Sequence, residues 1–515
     1  MNKRFLKNTA WIIGGKIIQY GISFVVGIFT ASYLGPSNYG ILGYINSVIL
    51  MFTAFANLGL GNYIVKEIIE HKGEEGKIVG TAITLQIIFS IIAYVFVNVT
   101  IIACNVGDEI MCFCSMIQGF SLVLQFSDNI NYYYQSKLES KIPTIISLVA
   151  YIIVQIYKII LLVTKANVTL FALAYALDYL VIAIFMILSY VVRKGPKIGF
   201  SKSIAKRLLK QSIPFVFAGT ISVLYSSLDK IMLKEMLATT EAVGYYNVAH
   251  SIALVWCFVV GAFITSFAPL IYEAVHKEGT ESKLYKTRLG QMYFVVFWLG
   301  VMASICIDII SPFLIKYAYG ESYKAAIIPT IILTWAGIFS YLGVARGIQF
   351  VCEGKQKYFA ILATMTVVVN VLMNYFLIPI LQTSGATIAT VVSEFFVCII
   401  APLLFKNTRN VSVSILQGIV GIGINLKELI KQIKNRIKSK SEPQKTLEIA
   451  ENSKEDNVEE IENPINETEN ICEVNQQDDI NKTEYSIVDT IQNETLLENE
   501  VNSETGKEKT ENGEE

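Results

Sequence analysis

The sequence predicts an all-α polytopic membrane protein of about twelve transmembrane helices, arranged as two parallel lobes of six. Three observations carry this. Apolar side chains make up 53% of the 515 residues and charged ones only 17%, too apolar a balance for a soluble chain of this length. Apolar runs of membrane length recur along the chain without the two-residue alternation of a barrel strand. The segments between the runs concentrate their Lys and Arg on alternate sides, as the positive-inside rule requires.

The runs cover residues 11–34, 40–64, 78–104, 110–127, 142–164, 169–192, 212–233, 244–271, 289–314, 326–351, 358–379 and 384–405. Lys3, Arg4 and Lys7 precede the first, which holds Lys16 and is too long for a cleaved signal. With the N-terminus in the cytoplasm, the inner segments hold 21 Lys and Arg, seven of them between Arg193 and Lys210, while the outer ones hold only Lys165, Lys234, Lys316 and Lys324. Both termini are therefore expected in the cytoplasm of a multi-pass protein of the cytoplasmic membrane.

The basic stretch divides the chain into a first lobe (1–192), a cytoplasmic linker (193–211) and a second lobe (212–405). Six spans per lobe give both the same orientation, so any repeat is parallel. Weak self-similarity supports one: Tyr39-Gly40 follows the first run as Gly244-Tyr245 follows the seventh. The Pro residues near the run ends, such as Pro36, Pro143, Pro214 and Pro379, read as boundaries.

Beyond the last run, 413–426 is too short and Gly-rich to span comfortably. In 406–440, cations at helical spacing (Lys427, Lys431, Lys434, Lys438) predict an amphipathic helix lying on membrane lipids. Residues 1–440 carry 37 Lys and Arg against 20 Asp and Glu, and 441–515 carry 5 against 23. The acidic segment is expected to be a disordered cytoplasmic tail. The eight cysteines lack metal spacing and read as small apolar side chains, although Cys104, Cys112 and Cys114 would pair if their loop faced an oxidising space.

No phosphate-cradling loop, HExxH helix or nucleophile elbow occurs, so the chain is not read as an enzyme or as its own ATPase. The basic loops are explained by topology, and nucleic acid is not an expected partner. Transport is the default because polar groups inside spans are retained where they face a cavity or a partner. Lys16 and Arg346 lie at one depth near the cytoplasmic side. They form either an anion site for phosphate or pyrophosphate, or two cations that snorkel to the interface.

Asp229 and Lys230, near the outer end of the seventh run, point about 100° apart and cannot pair on one face. Lys158 and Asp178 lie in the fifth and sixth runs and Asp308 near the end of the ninth. Glu394, nearest the midplane, binds H⁺ or Na⁺ or caps a helix contact; Asp229 is the other coupling candidate. Asn370 and Asn374, one turn apart, line a cavity or bond between helices. Asn57, Asn62, Asn247 and His250 are weaker candidates of the same kind.

Several stretches together resemble a known family. Lys7-Asn8-Thr9-Ala10-Trp11 with Gly15-Lys16, the Tyr33-Leu34-Gly35-Pro36 turn running to Gly40, and Asn57-Leu58-Gly59-Leu60 are similar to the start of Wzx-type polysaccharide flippases. Leu228-Asp229-Lys230-Ile231, Gly354-Lys355-Gln356-Lys357, Leu377-Ile378-Pro379 and Gly385-Ala386-Thr387 through Glu394 resemble later parts of the same family. It lies within the multidrug/oligosaccharidyl-lipid/polysaccharide exporter superfamily.

The resemblance covers residues 5–405 and implies a MATE-like arrangement that flips an undecaprenyl-diphosphate-linked oligosaccharide, such as an O-antigen unit, by alternating access. It also implies that Lys16, Arg346 and Lys230 face a central cavity, and it makes polymerase and glycosyltransferase machinery the expected partners. Two other readings stay open: a cation-coupled drug exporter, and a membrane scaffold working through the acidic tail.

Overall fold

The computed structural model describes the backbone of residues 3–421, together with the side chains of that range other than those of 3–18, 20, 62, 213–215, 217–219 and 222. The Lys16 side chain, the basic helix predicted beyond residue 426 and the acidic tail thus lie outside the described residues.

All twelve predicted runs are helical. Among the described residues, nine helices are long and apolar enough to cross a membrane. Two of them cover two runs each. Helix α1 (Lys3–Ala56) changes direction at Gly35, whose φ of 71° needs a glycine, and Pro36 restarts the helix with its pre-set φ. After α2 (Gly61–Glu70), α3 (Glu75–Cys104), α4 (Glu109–Gly119), α5 (Ser121–Leu124), α6 (Asp128–Ser136), α7 (Lys141–Val163) and α8 (Val168–Val192) complete the first half.

The second half is built from α9 (Lys202–Leu237), α10 (Glu241–Ala253), α11 (Cys257–Glu278), α12 (Lys283–Leu314), α13 (Ile327–Thr334), α14 (Ala336–Cys352), α15 (Tyr358–Phe395) and α16 (Ala401–Leu404). The second and fourth spans are broken in both halves: at Asn57–Leu60 and 120–127 in the first, at 254–256 and Trp335 in the second.

Two boundaries differ from the sequence reading. Helix α9 starts at Lys202, inside the stretch read as linker, because Ile204, Ala205 and Leu208 form an apolar stripe that packs with Ile64, Ile68, Ile78 and Val79. Arg207 from the same turns pairs with the buried Glu67. The break between the runs 358–379 and 384–405 is a single residue, Gln382 (φ 50°), inside α15. Gly385 is helical and serves close packing, since a Cβ there would stand 2.3 Å from the Leu377 carbonyl oxygen. The seven described cysteines are all unbridged.

The broadest shared core of the two halves lies at one end. Away from the basic loops, Leu34, Ile41, Tyr44 and Ile45 of α1 pack in one cluster with Leu233, Val243 and Tyr246 of α9 and α10, and with Ile378 and Ala386 of α15. Toward the basic loops there are two separate cores, one around Ile64, Ile78 and Leu85 that takes in the first turns of α9, and the other around Val260, Met292 and Phe350.

Glycines set the shared crossing of α1 and α10. A Cβ at Gly40 would stand 1.8 Å from the Thr240 carbonyl oxygen, and one at Gly244 would stand 2.1 Å from that of Pro36. Beside them Ser37 Oγ donates to Glu241 (3.0 Å) and Tyr44 Oη to Glu235 (2.6 Å).

At the basic end, helix α17 (Arg409–Val420) covers part of the stretch judged too short to span, and its Val411, Ser412, Ile415 and Gly418 are buried against the second half. Glu353 holds it there, accepting from Tyr285 (3.1 Å), Gln349 (2.7 Å), Lys355 (2.6 Å) and Asn410 (3.1 Å). Burial opposes ionisation of Glu353, but the hydrogen bonds from Lys355 and Gln349 outweigh it and keep the carboxyl below its ordinary value of 4.5.

Two outcomes follow. Gly244→Ala overfills the crossing, at a cost of about 1–3 kcal/mol, and lowers the melting temperature followed by tryptophan fluorescence. A carboxyl with a depressed folded value contributes stability above the unfolded value and loses it as pH falls. Protection factors of the amides in 409–420, taken relative to the intrinsic exchange rate at each pH, therefore fall below pH about 4.5 in the wild type, and Glu353→Gln shows the low protection already at neutral pH.

Candidate functional site

Asp229 and Lys230 are neighbours on α9 that look in different directions, as helix geometry requires. Asp229 is 4% exposed and its carboxylate is enclosed by the second half. Oδ1 accepts from Asn374 Nδ2 at 2.6 Å, while Oδ2 accepts from Tyr246 Oη at 2.5 Å and Thr390 Oγ1 at 2.8 Å. Asn374 Nδ2 also donates to Asn370 Oδ1 at 3.0 Å, so the two fully buried amides are stacked behind the carboxylate. One turn along the same pair of helices, Tyr225 Oη donates to Glu394 Oε1 at 2.6 Å. Positions 225 and 229 on α9 thus face 394 and 390 on α15, two rungs of one ladder.

This cluster brings together four residues singled out from the sequence: Asp229, Asn370, Asn374 and Glu394. It also contains Asn374 Oδ1, a buried acceptor with no hydrogen-bond partner among the described residues. An orphaned oxygen beside a buried carboxylate and a hydroxyl is a set of hard donors suited to a small cation or a proton.

Lys230 faces the other way, into a cavity of about 180 Å³ between the halves. Tyr39, Gly43 and Asn46 of α1 and Tyr175 of α8 line it from the first half, and Asn247, His250 and Ser251 of α10 from the second. Its floor is the glycine crossing, for a Cβ at Gly43 would stand 1.7 Å from Asn247 Nδ2. The lining therefore offers one ammonium, two amides, a hydroxyl, an imidazole and two phenol rings. Such a set can hold an anionic, hydroxyl-rich ligand.

The remaining candidates are distributed elsewhere. Arg346 is 7% exposed, donates from Nη1 to the Val397 carbonyl oxygen at 2.5 Å and lies 5.5 Å from the Phe350 ring centroid. It is embedded in the second half and does not line the cavity in this conformation. Lys158 Nζ sits 5.5 Å from the centroid of Tyr175, which does line it. Asp308 accepts from Trp335 Nε1 at 3.1 Å.

Asn57 belongs to a separate amide chain in the first half, where Gln86 Nε2 donates to Asn57 (2.8 Å) and Asn129 donates to Gln86. The grouping of Glu67, Glu70 and His71 has metal-like spacing, but Arg207 already occupies Glu67. The sequence reading missed Tyr225, Tyr246, Thr390, Tyr39, Asn46 and Tyr175. Tyrosines in apolar runs read as core, and their one signal is the one-turn spacing of Tyr225 from Asp229.

Comparison with known proteins matches residues 5–275 to a family model described as polysaccharide biosynthesis protein. A relative, the capsular polysaccharide biosynthesis protein CapF of Staphylococcus aureus, is 21% identical over 206 residues. That alignment takes in 39% of this chain and spans half the length of CapF. In fold, the chain is similar to the lipid II flippase MurJ in an inward closed conformation (TM-score 0.63, 15% identity, 80% of this chain and 92% of that one). It is also similar to an inward-facing MATE family multidrug resistance transporter (TM-score 0.56, 15% identity, 78% and 93%).

The cluster around Asp229 has a measurable signature. Asp229→Ala removes the acceptor shared by three donors; Asn374 and Thr390 keep Asn370 Oδ1 and the Ala386 carbonyl oxygen, so the cost of about 1–3 kcal/mol falls mainly on the Tyr246 hydroxyl, whereas Asp229→Asn keeps an acceptor and the shape. Thermal unfolding in detergent is expected to rank wild type above Asp229→Asn, and Asp229→Asn well above Asp229→Ala.

Proposed function

This chain belongs to the polysaccharide biosynthesis protein family, whose model spans residues 5–275, and we propose that it flips an undecaprenyl-diphosphate-linked oligosaccharide from the inner to the outer leaflet of the cytoplasmic membrane. The observation that carries this reading is the cavity at Lys230, lined from both halves and set above a crossing that closes the end away from the basic loops. With the basic loops in the cytoplasm, the core of α2, α3 and the first turns of α9 is separate from that of α11, α12 and α14, so those two bodies can part toward the cytoplasm. The glycan enters the cleft while the lipid stays in the bilayer, and Lys230 neutralises negative charge that would otherwise be costly at low dielectric.

The reverse state requires the α1–α10 crossing to open. Ser37–Glu241 and Tyr44–Glu235 are the hydrogen bonds to be broken. Coupling to an ion gradient falls to the cluster around Asp229, because it is one helix face away from Lys230 on α9. A proton or Na⁺ there neutralises Asp229 and lets α9 shift against α15 without separating a bare charge from its donors. The donors present, including the orphaned Asn374 Oδ1, fit a small cation.

Surface glycan and cytoplasmic-leaflet lipid-linked units, measured in cells that rely on this protein, test the reading. Lys230→Gln is expected to lower glycan display by about tenfold, equivalent to ~1.4 kcal/mol, while lipid-linked units accumulate. Normal display in Lys230→Gln cells, or loss of drug efflux with glycan unchanged, would sink it. In vesicles, Asp229→Asn is expected to make flipping insensitive to an imposed proton or Na⁺ gradient while the ungated rate persists.

A further inference from the structure

An anionic ligand in the cavity meets little positive charge among the described residues. Of the lining residues that are described, Lys230 is the one ammonium; the rest are tyrosines, amides, a serine, a glycine and a histidine. A diphosphate, or a sugar carboxylate next to a phosphate, brings more than one negative charge, and uncompensated charge in a low-dielectric site costs several kcal/mol. A second cation stands just behind the lining. Lys158 Nζ lies 5.5 Å from the centroid of Tyr175, a cavity residue.

Three residues from Tyr175, on the same face of α8, is Asp178. Its carboxylate interacts electrostatically with Lys158. The two do not close into a contact pair: Asp178 Oδ1 is buried without a hydrogen-bond partner among the described residues. Lys158 is therefore held between a carboxylate it does not fully satisfy and an aromatic face that borders the cavity.

We propose that Lys158 is a second ligand cation, which leaves Asp178 and passes the edge of Tyr175 to reach an anionic group bound beside Lys230. The four-carbon stem of lysine and its rotatable point charge suit such a swing, and Tyr175 gives the ammonium a cation–π resting place on the way. Asp178 is the resting counter-charge and competes with the ligand for Lys158. The inference rests on the proposed anionic substrate and adds which side chains read its charge.

Competition makes the two partners act in opposite directions. Binding of undecaprenyl diphosphate and of a glucuronate-containing disaccharide is measured on the full chain in nanodiscs. Lys158→Gln is expected to weaken binding of the responding probe about tenfold, and Asp178→Asn to tighten it several-fold, while Lys158→Arg stays near wild type. The probe that shows the opposed shifts identifies whether the anion is the lipid diphosphate or a sugar carboxylate.

Shifts of the same sign in both variants, or no shift in either while Lys230→Gln weakens binding, overturn the proposal and leave the flippase reading standing. Absence of saturable binding by the wild type, or binding indifferent to Lys230→Gln, removes both. Melting temperatures of the variants separate loss of charge from loss of fold.

Discussion

The close approach of α1 and α10 is the constraint on which the arrangement depends. Helices pack at 8–10 Å when side chains separate them, and here Gly40, Gly43 and Gly244 remove those side chains, so backbone meets backbone. The broadest core that joins the halves lies there, and toward the basic loops two separate cores form, one of which takes in the first turns of α9.

Helix α9 gives this arrangement its chemistry because it belongs to both halves. Its first turns pack on the first half through Ile204 and Leu208 and through the Arg207–Glu67 pair, and its far turns bind α15 through Asp229 and Tyr225. Lys230 projects from those same far turns into the cavity. The adjacency of Asp229 and Lys230 in sequence becomes, through the 100° step of a helix, an adjacency of two sites that share one rigid body. Under the proposed function, a change in the charge state of the cluster would act on the same helix that carries Lys230.

Much of the fold was legible because apolar length and loop charge are properties of composition. The twelve runs are helical, and Gly354, with φ 62°, makes the turn between the runs 326–351 and 358–379. The beginning of α9 was hidden because its apolar stripe is thinly spread among cations and depends on a partner surface from α2 and α3. The turn at Gln382 was hidden because a glycine three residues on, used for packing, gave the stronger local signal. At the site, the charges and amides stood out in apolar runs, and Asp229, Asn370, Asn374 and Glu394 do meet. The tyrosines did not stand out, since their rings fit the apolar pattern and only the fold shows which hydroxyls find carboxylates.

Arg346 shows what depth alone leaves open. Sequence places it level with Lys16, which suggested a shared anion site, but depth fixes only one of three coordinates. Its helix turns it toward residues 396–400, where the hydrogen bonds widen to i→i+5. Arg346 donates to the Val397 carbonyl oxygen in that interrupted ladder and acts on Glu394 from the second half's interior. A guanidinium placed there offsets part of the charge of a buried carboxylate and is not among the described residues that line the cavity. Among the described residues the cationic lining is Lys230, with Lys158 behind Tyr175, and the two carry charge from opposite halves of the protein. Under the proposed function, an anion held between them would draw the halves together, so that binding and closure would be the same event.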